Sequence, residues 1–323
     1  MNHARRKFLR LTAGAATAAL TSQPSFALSY PTRPVRLIVG FAAGGAADVS
    51  ARLVAQSLSV RLGRQFIVEN KTGAGGTIAT DEAVRSAPDG YTLLYCAFAN
   101  ASSALYSKLD FDFIHDIAPV AGTVRLPLML IVNPAVPAKT LPELIAYGRA
   151  NPGKLNFASA GTGTSEHLAG ELFKTMSGVD MVHVPFRGGA PAITALISGE
   201  VQSYFCAAPT FLSGIKSGMR AIAVTTAKRW DGFLDVQTIA ETLPGYEVSV
   251  WYGVGAPKQI PVEIVGTLNR EVNASLADPQ FKGLLAELGG IPLLMSPAEF
   301  GKFLAEETEK WTSVIKMANL KAE

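Results

Sequence analysis

Val35-Arg36-Leu37-Ile38-Val39-Gly40-Phe41, followed by Ala42-Ala43-Gly44-Gly45-Ala46-Ala47-Asp48, decides how this chain folds. The first seven residues read as an apolar strand. A glycine pair ends it, and an amphipathic helix runs from about Asp48 to Leu62. The helix's inner stripe is Ala47, Ala51, Val54, Leu58 and Leu62, at spacings of three and four. Gly63 stops it. A strand, a glycine loop and a helix in that order leave the first backbone N–H groups of the helix unpaired. They point to one place, at the positive end of the helix dipole, so an anion can be held without Arg or Lys.

A second unit of this kind comes about a hundred residues later. Asn156-Phe157-Ala158-Ser159 leads into Ala160-Gly161-Thr162-Gly163-Thr164-Ser165, and Glu166-His167-Leu168 opens a helix. Two such loops suggest jaws that close on one anionic ligand.

The rest of the chain continues the alternation. Phe66–Val68 is a short buried strand, and the loop 70–76 is again rich in glycine. It opens a helix over Thr77–Ser86, and a turn at Pro88-Asp89-Gly90 leads into a strand over Tyr91–Cys96. Beyond it, Pro127–Val132, Leu155–Ala158, Met181–Pro185, Val201–Cys206, Ala221–Thr225 and Tyr246–Gly253 read as extended. Thr140-Leu141-Pro142-Glu143 is a capping box. The tail is helical, from Pro261 and again from Ser296-Pro297-Ala298-Glu299. Alternating strands and helices predict an α/β fold with parallel sheets and ligands at the strands' carboxyl ends.

The first 27 residues stand apart. Arg5, Arg6, Lys7 and Arg10 form a basic start, Leu11–Leu20 is an uncharged apolar run, and Ser25-Phe26-Ala27 suits a cleavage site. This pattern predicts a cleavable export signal and a mature chain starting at Leu28. The Arg5-Arg6 pair before Phe8-Leu9 fits the twin-arginine route, and the general secretory route fits equally. The full chain carries +3, and removing four basic residues leaves the mature chain at −1. The pI of about 8.8 therefore belongs largely to the signal. Nothing in the remainder suggests nucleic-acid or acidic-membrane binding. No apolar stretch is long enough to span a bilayer. Cys96 and Cys206, the two cysteines, read as separate buried thiols.

Enzyme signatures are missing. There is no Gly-x-Ser-x-Gly elbow and no phosphate-loop Gly-x-x-x-x-Gly-Lys. The four histidines, at 3, 115, 167 and 183, include no pair at metal-ligand spacing. Ser165 and His167 are two apart at a helix start, which suits no nucleophile–base pair. No metal and no cofactor is expected.

Eight segments in order carry a family resemblance. They are residues 41–48, 70–76, 88–94 (Pro-Asp-Gly-Tyr-Thr-Leu-Leu) and 158–163 (Ala-Ser-Ala-Gly-Thr-Gly), then 167–173 (His-Leu-Ala-Gly-Glu-Leu-Phe) and 184–191 (Val-Pro-Phe-Arg-Gly-Gly-Ala-Pro), and finally 221–226 and 251–257 (Trp-Tyr-Gly-Val-Gly-Ala-Pro). Across essentially the whole mature chain they resemble the Bug-type extracytoplasmic receptors of tripartite tricarboxylate transporters. The resemblance implies a periplasmic binding protein fold of type II. One domain would comprise 28–124 and 250–323, the other 125–249, with crossings near Ala121–Pro127 and Glu247–Gly253. It implies a small carboxylated ligand gripped between the two loops, and delivery to the membrane permease subunits of such a transporter. The receptor itself is expected to be a monomer. The alternatives are a ligand-loaded sensor subunit and, less in keeping with the residues, an exported enzyme acting on a small acid.

The expected first jaw is Phe41, Ala43, Gly44, Gly45, Ala46 and Ala47. Asp48 reads as a helix-start acid that could pair with a ligand amine. In the second jaw, Thr162, Gly163, Thr164 and Ser165 offer donors that are also ordinary helix caps. His167 either touches the ligand or packs at the helix start. Asn100, with Ala99 and Ser102, would line the pocket floor. Arg125 and Arg187 are the cationic residues nearest the expected cleft, and Arg187 reads more as a tie for its own loop. Trp251 and Tyr252 lean towards core packing. The family loop usually carries Pro before its glycine pair and hydroxyls after it, where this chain has alanines. That departure implies a ligand with one carboxylate and an apolar body.

Overall fold

The N-terminal alternation leads straight into the architecture: β1 (Val35–Val39), α1 (Ala46–Leu62), β2 (Phe66–Asn70), α2 (Thr77–Val84), β3 (Thr92–Ala97) and the one-turn α3 (Phe98–Ala101). A computed structural model describes residues 30–102, 109–214, 218–317 and 320, so the export segment lies outside the described residues. Then come α4 (Phe113–Asp116), β4 (Ile117–Val132), α5 (Leu141–Ala150), β5 (Leu155–Ser159), α6 (Ser165–Ser177), β6 (Met181–Pro185) and α7 (Gly189–Ser198). They are followed by β7 (Ser203–Ala207), α8 (Ala208–Gly214), β8 (Arg220–Val224), β9 (Ser249–Pro257), α9 (Val262–Ala277), α10 (Pro279–Glu287), β10 (Ile291–Pro292) and α11 (Pro297–Met317).

The main strand order is β2-β1-β3-β9-β4-β7-β5-β6, with β8 and β10 also paired to β4. Two parallel groups, β2-β1-β3 and β7-β5-β6, flank an antiparallel pair, β9 and β4. β4 is the long member at 16 residues. Residues Ile117–Pro127 pair with β9, and Leu128–Val132 pair with β7 and β8. The sequence reading placed a strand only over Pro127–Val132 and a crossing just before it; the structure joins the two. Near-continuous burial along β4 is what a strand covered on both faces requires. Thr225 fastens the changeover: its hydroxyl donates to the Val248 carbonyl at 2.7 Å and accepts from the Leu128 amide at 3.1 Å.

Helix α1 starts at Ala46, two residues before the expected point, and ends on Gly63 at φ 65°. Ala51, Val54 and Leu58 are buried, and Leu62 is half-buried. The C-terminal helices return to the first strand group. α9 meets α1 through Ser57–Ser275 (2.7 Å) and Arg61–Glu271 (3.0 Å). On α11, Trp311 packs edge-on against Phe98 with ring centroids 4.7 Å apart. Around the second group, Phe157, Phe173 and Phe205 fill one side and Tyr204, Leu196 and Phe211 the other. Cys96 and Cys206 are buried free thiols, as the sequence reading has them.

Candidate ligand-binding cleft

The carboxyl ends of β1, β3 and β5 open onto one cleft of about 360 Å³ including its mouth. Phe41, Gly45, Ala46 and Ala47 line it from the β1–α1 loop, and Ala97, Phe98 and Ala99 from the end of β3. Ala160, Thr164, Ser165 and Glu166 come from the β5–α6 loop. Gly189, Thr210, Val250 and Tyr252 complete the wall. No lining residue is Lys, Arg or His.

The first loop is braced from behind. Asp48 accepts from the Gly44 amide, from Arg52 Nε and from Asn70 Nδ2, each at 2.9 Å. Asn70 also donates to the Phe41 carbonyl at 2.8 Å. Burial pushes the Asp48 carboxyl upward, but these hydrogen bonds outweigh it and hold the group below the usual carboxylate range. With its oxygens so engaged, Asp48 stands outside the cleft lining, together with Ala43 and Gly44. Gly45 gives α1 no side-chain cap, so the donors of the first turn are left for another partner.

In the second loop Thr164 caps α6. Its hydroxyl accepts from the His167 amide at 3.4 Å and donates to the Gly161 carbonyl at 2.7 Å. His167 faces the back of its own loop. Its Nδ1 accepts from the Gly163 amide at 3.1 Å, and its ring stacks on His183 with centroids 4.0 Å apart. Burial pushes His167 down to about 4 and His183 to about 3, so both are neutral at pH 7. Thr162 lines a neighbouring groove with Gly75 and Arg187. Asn100 shapes its turn, accepting from the Ala97 amide at 2.8 Å and donating to Thr80 Oγ1 at 2.9 Å.

The walls meet at the rim. The Ala42 amide donates to the Arg187 carbonyl at 3.1 Å, and the Ser102 hydroxyl donates to the Gly163 carbonyl. A Cβ on Gly188 would stand 2.7 Å from the Ala42 nitrogen, so only glycine permits that approach. Arg187 is exposed and contributes its carbonyl there. Arg125 lies away from the cleft, over the Phe303 ring at 5.6 Å and in a separate hollow with Trp230 and Glu247.

The structure thus gathers Phe41, Gly45, Ala46, Ala47, Ala99, Thr164 and Ser165 of the expected set into one cleft. It places Ala43, Gly44, Asp48, Asn100, Gly163 and His167 in the scaffold around it. Sequence reasoning missed Glu166, Phe98, Gly189, Thr210 and Val250. Tyr252 packs on Tyr95 at 5.5 Å and lines the cleft as well. Trp251 is core, donating to Glu307 Oε2 at 2.9 Å. Glu166 gave no signal because an acid in a first helical turn is commonplace. It is only 5% exposed, its carboxylate accepts from the Ser165 hydroxyl at 3.1 Å, and burial raises its pKa against hydrogen bonds from its own amide and from the Thr164 and Ser165 side chains.

The profile of the tripartite tricarboxylate transporter family receptor matches residues 50–320. The chain belongs to this receptor family. Protein BugT of Bordetella pertussis is 35% identical over 311 residues, covering 95% of each chain. Among solved structures, R. palustris Rpa4515 with adipate is 36% identical with a TM-score of 0.88, covering 90% of this chain and 99% of that one. The periplasmic binding protein BugD is 33% identical with a TM-score of 0.87, covering 91% and 100%. The receptor therefore has the periplasmic binding protein fold. Among the described residues, no helix is long and apolar enough to cross a membrane.

Proposed function

We propose that this receptor captures a small carboxylated molecule in the periplasm and delivers it to the permease subunits of a tripartite tricarboxylate-type transporter. The N-terminal signal would export it, and it would act as a monomer. The observation that carries this reading is the uncapped start of α1. Gly45, Ala46 and Ala47 present main-chain donors to a cleft whose other walls are aromatic and small apolar side chains. A carboxylate sits at those donors, and an apolar body lies along Phe41, Phe98 and Tyr252. Thr164 and Ser165 close over it from the second loop. The lobes, 28–124 with 250–323 and 125–249, swing about the β4–β9 pair, and ligand favours the closed arrangement by binding it more tightly. Adipate in Rpa4515 supports a carboxylate as the ligand class.

Thermal unfolding against a panel of carboxylates tests this. A ligand at a hundred times its Kd should stabilise the protein by about 2.7 kcal/mol, a shift of a few degrees. Monocarboxylates with apolar bodies should shift it more than citrate. A citrate shift larger than all others would refute the apolar-body reading. No shift with any carboxylate, in protein shown by mass spectrometry to carry no ligand, would refute the receptor reading.

A further inference from the structure

Glu166 is at odds with a purely anion-binding cleft. It lines the cavity, is nearly inaccessible to solvent, and faces no cationic side chain there. Its carboxyl occupies the first turn of α6, so that helix start already has an acid beside it. An ionised Glu166 would repel a ligand carboxylate placed there, and a ligand cation would favour that ionised form against the burial that raises its pKa. The starts of α1 and α7 differ: Gly45 and Gly188 provide no side-chain cap, and Gly45, Ala46, Ala47 and Gly189 line the cleft. The cleft therefore has two electrostatic ends, donors at α1 and α7 and an acid at α6.

Three aromatic residues, Phe41, Phe98 and Tyr252, share the wall with Glu166. Aromatic rings attract cations, most strongly where water is excluded. Behind Gly189 lies the Tyr204 hydroxyl, fully buried and without a hydrogen-bond partner; a Cβ on Gly189 would be 3.3 Å from it. A buried acid whose partners, its own amide and the Thr164 and Ser165 side chains, are all neutral, and an idle hydroxyl nearby, are what a site completed by a cationic ligand group would leave.

We propose that Glu166 is a specificity residue that selects a ligand carrying a protonated nitrogen, so that the bound molecule is a zwitterion with its carboxylate at α1 and its ammonium group against Glu166. The role once open to Asp48 passes to Glu166, because Asp48 already pairs with Arg52. A metal ion is a poorer fit, since among the described residues no three His, Cys, Asp or Glu side chains gather to hold one. This inference rests on the carboxylate-receptor reading above and narrows it.

The test is calorimetric titration with matched pairs of increasing length: glutarate and 4-aminobutyrate, adipate and 6-aminohexanoate, terephthalate and 4-(aminomethyl)benzoate. In at least one pair the amino acid should bind about tenfold or more tightly than its dicarboxylate, and Glu166→Gln should erase that preference while keeping its fold by circular dichroism. The wild-type comparison decides the matter even if the variant does not fold. Dicarboxylates binding as tightly as their amino counterparts, or an ammonium preference that survives Glu166→Gln, would overturn this inference and leave the receptor reading intact. No binding by either member of any pair, in protein shown by mass spectrometry to carry no ligand, would overturn this inference, and the thermal panel then decides the receptor reading.

Discussion

His167 and His183 illustrate how a residue can serve the cleft without entering it. The stacked rings hold the second loop through Gly163 and Ser159, the latter 2.6 Å from His183 Nε2. Both folded-state pKa values lie well below the ordinary 6.5, at about 4 and about 3. The unfolded chain therefore takes up these protons first as pH falls. Their contribution to stability is complete above about pH 6.5 and is lost progressively down to about pH 4. His167 alone should account for roughly 3 kcal/mol of that loss. Urea midpoints at pH 7 and pH 5 should differ accordingly, and His167→Gln should flatten the slope. Equal midpoints would show that these rings are not held neutral. The ring's position was not legible from spacing, because a histidine three residues past a cap suits a ligand and a loop brace alike. Asp48 and Asn100 turned inward for the same reason: short polar side chains near glycine loops find main-chain partners first.

At the scale of elements, the strand–loop–helix units were readable because two periods change at a glycine. The apolar run of β1, the stripe of α1 and the stop at Gly63 each have their own chemical cause. Helices α7 and α10 were hidden. Gly188-Gly189-Ala190-Pro191 gives no helix signal, yet proline is tolerated in a first turn where its missing N–H has no helical partner. The cleft wall was less legible still, since Thr210, Val250 and Tyr252 come from distant segments brought together only by sheet order. Gly170 provides an element-scale test. A Cβ there would lie 2.1 Å from the Phe157 ring, which is fully buried between His183 and Phe205. Gly170→Ala gains about 1 kcal/mol in helix propensity. Overpacking costs about 1–3 kcal/mol and should win, because Phe157 has nowhere to move. A urea midpoint above wild type would show that α6 can shift away from β5.

Across the molecule, β4 and β9 link the two parallel groups among the described residues, and their shared ladder breaks register after Pro119 and after Gly122. Irregular ladders bend more readily than regular ones. Thr225 ties Leu128 to Val248 just where β4 changes partners. If the proposed closure takes place, bending should concentrate between β3 and β7, with each parallel group moving as a body. Hydrogen exchange should show this on adding a ligand found in the thermal panel. Amides of 42–47 and 161–166 should slow several-fold, while the centres of β1 and β5 stay unchanged. Uniform slowing over both groups would indicate global rigidification in place of hinged closure.

The rim contact between Ala42 and Arg187 has a wider meaning. Its two atoms are an amide hydrogen and a carbonyl oxygen, which every residue but proline can supply. The cleft lining, by contrast, presents side chains, among them Phe41, Phe98, Glu166 and Tyr252. Under the proposed function, how the receptor shuts and what it accepts are therefore written in different parts of the polymer. On that reading, substitutions in the wall should change the cargo one residue at a time, while the contact at position 42 needs only a backbone N–H, with glycine kept at 188 opposite. On the same reading, the ligand can change while the closing contact stays the same.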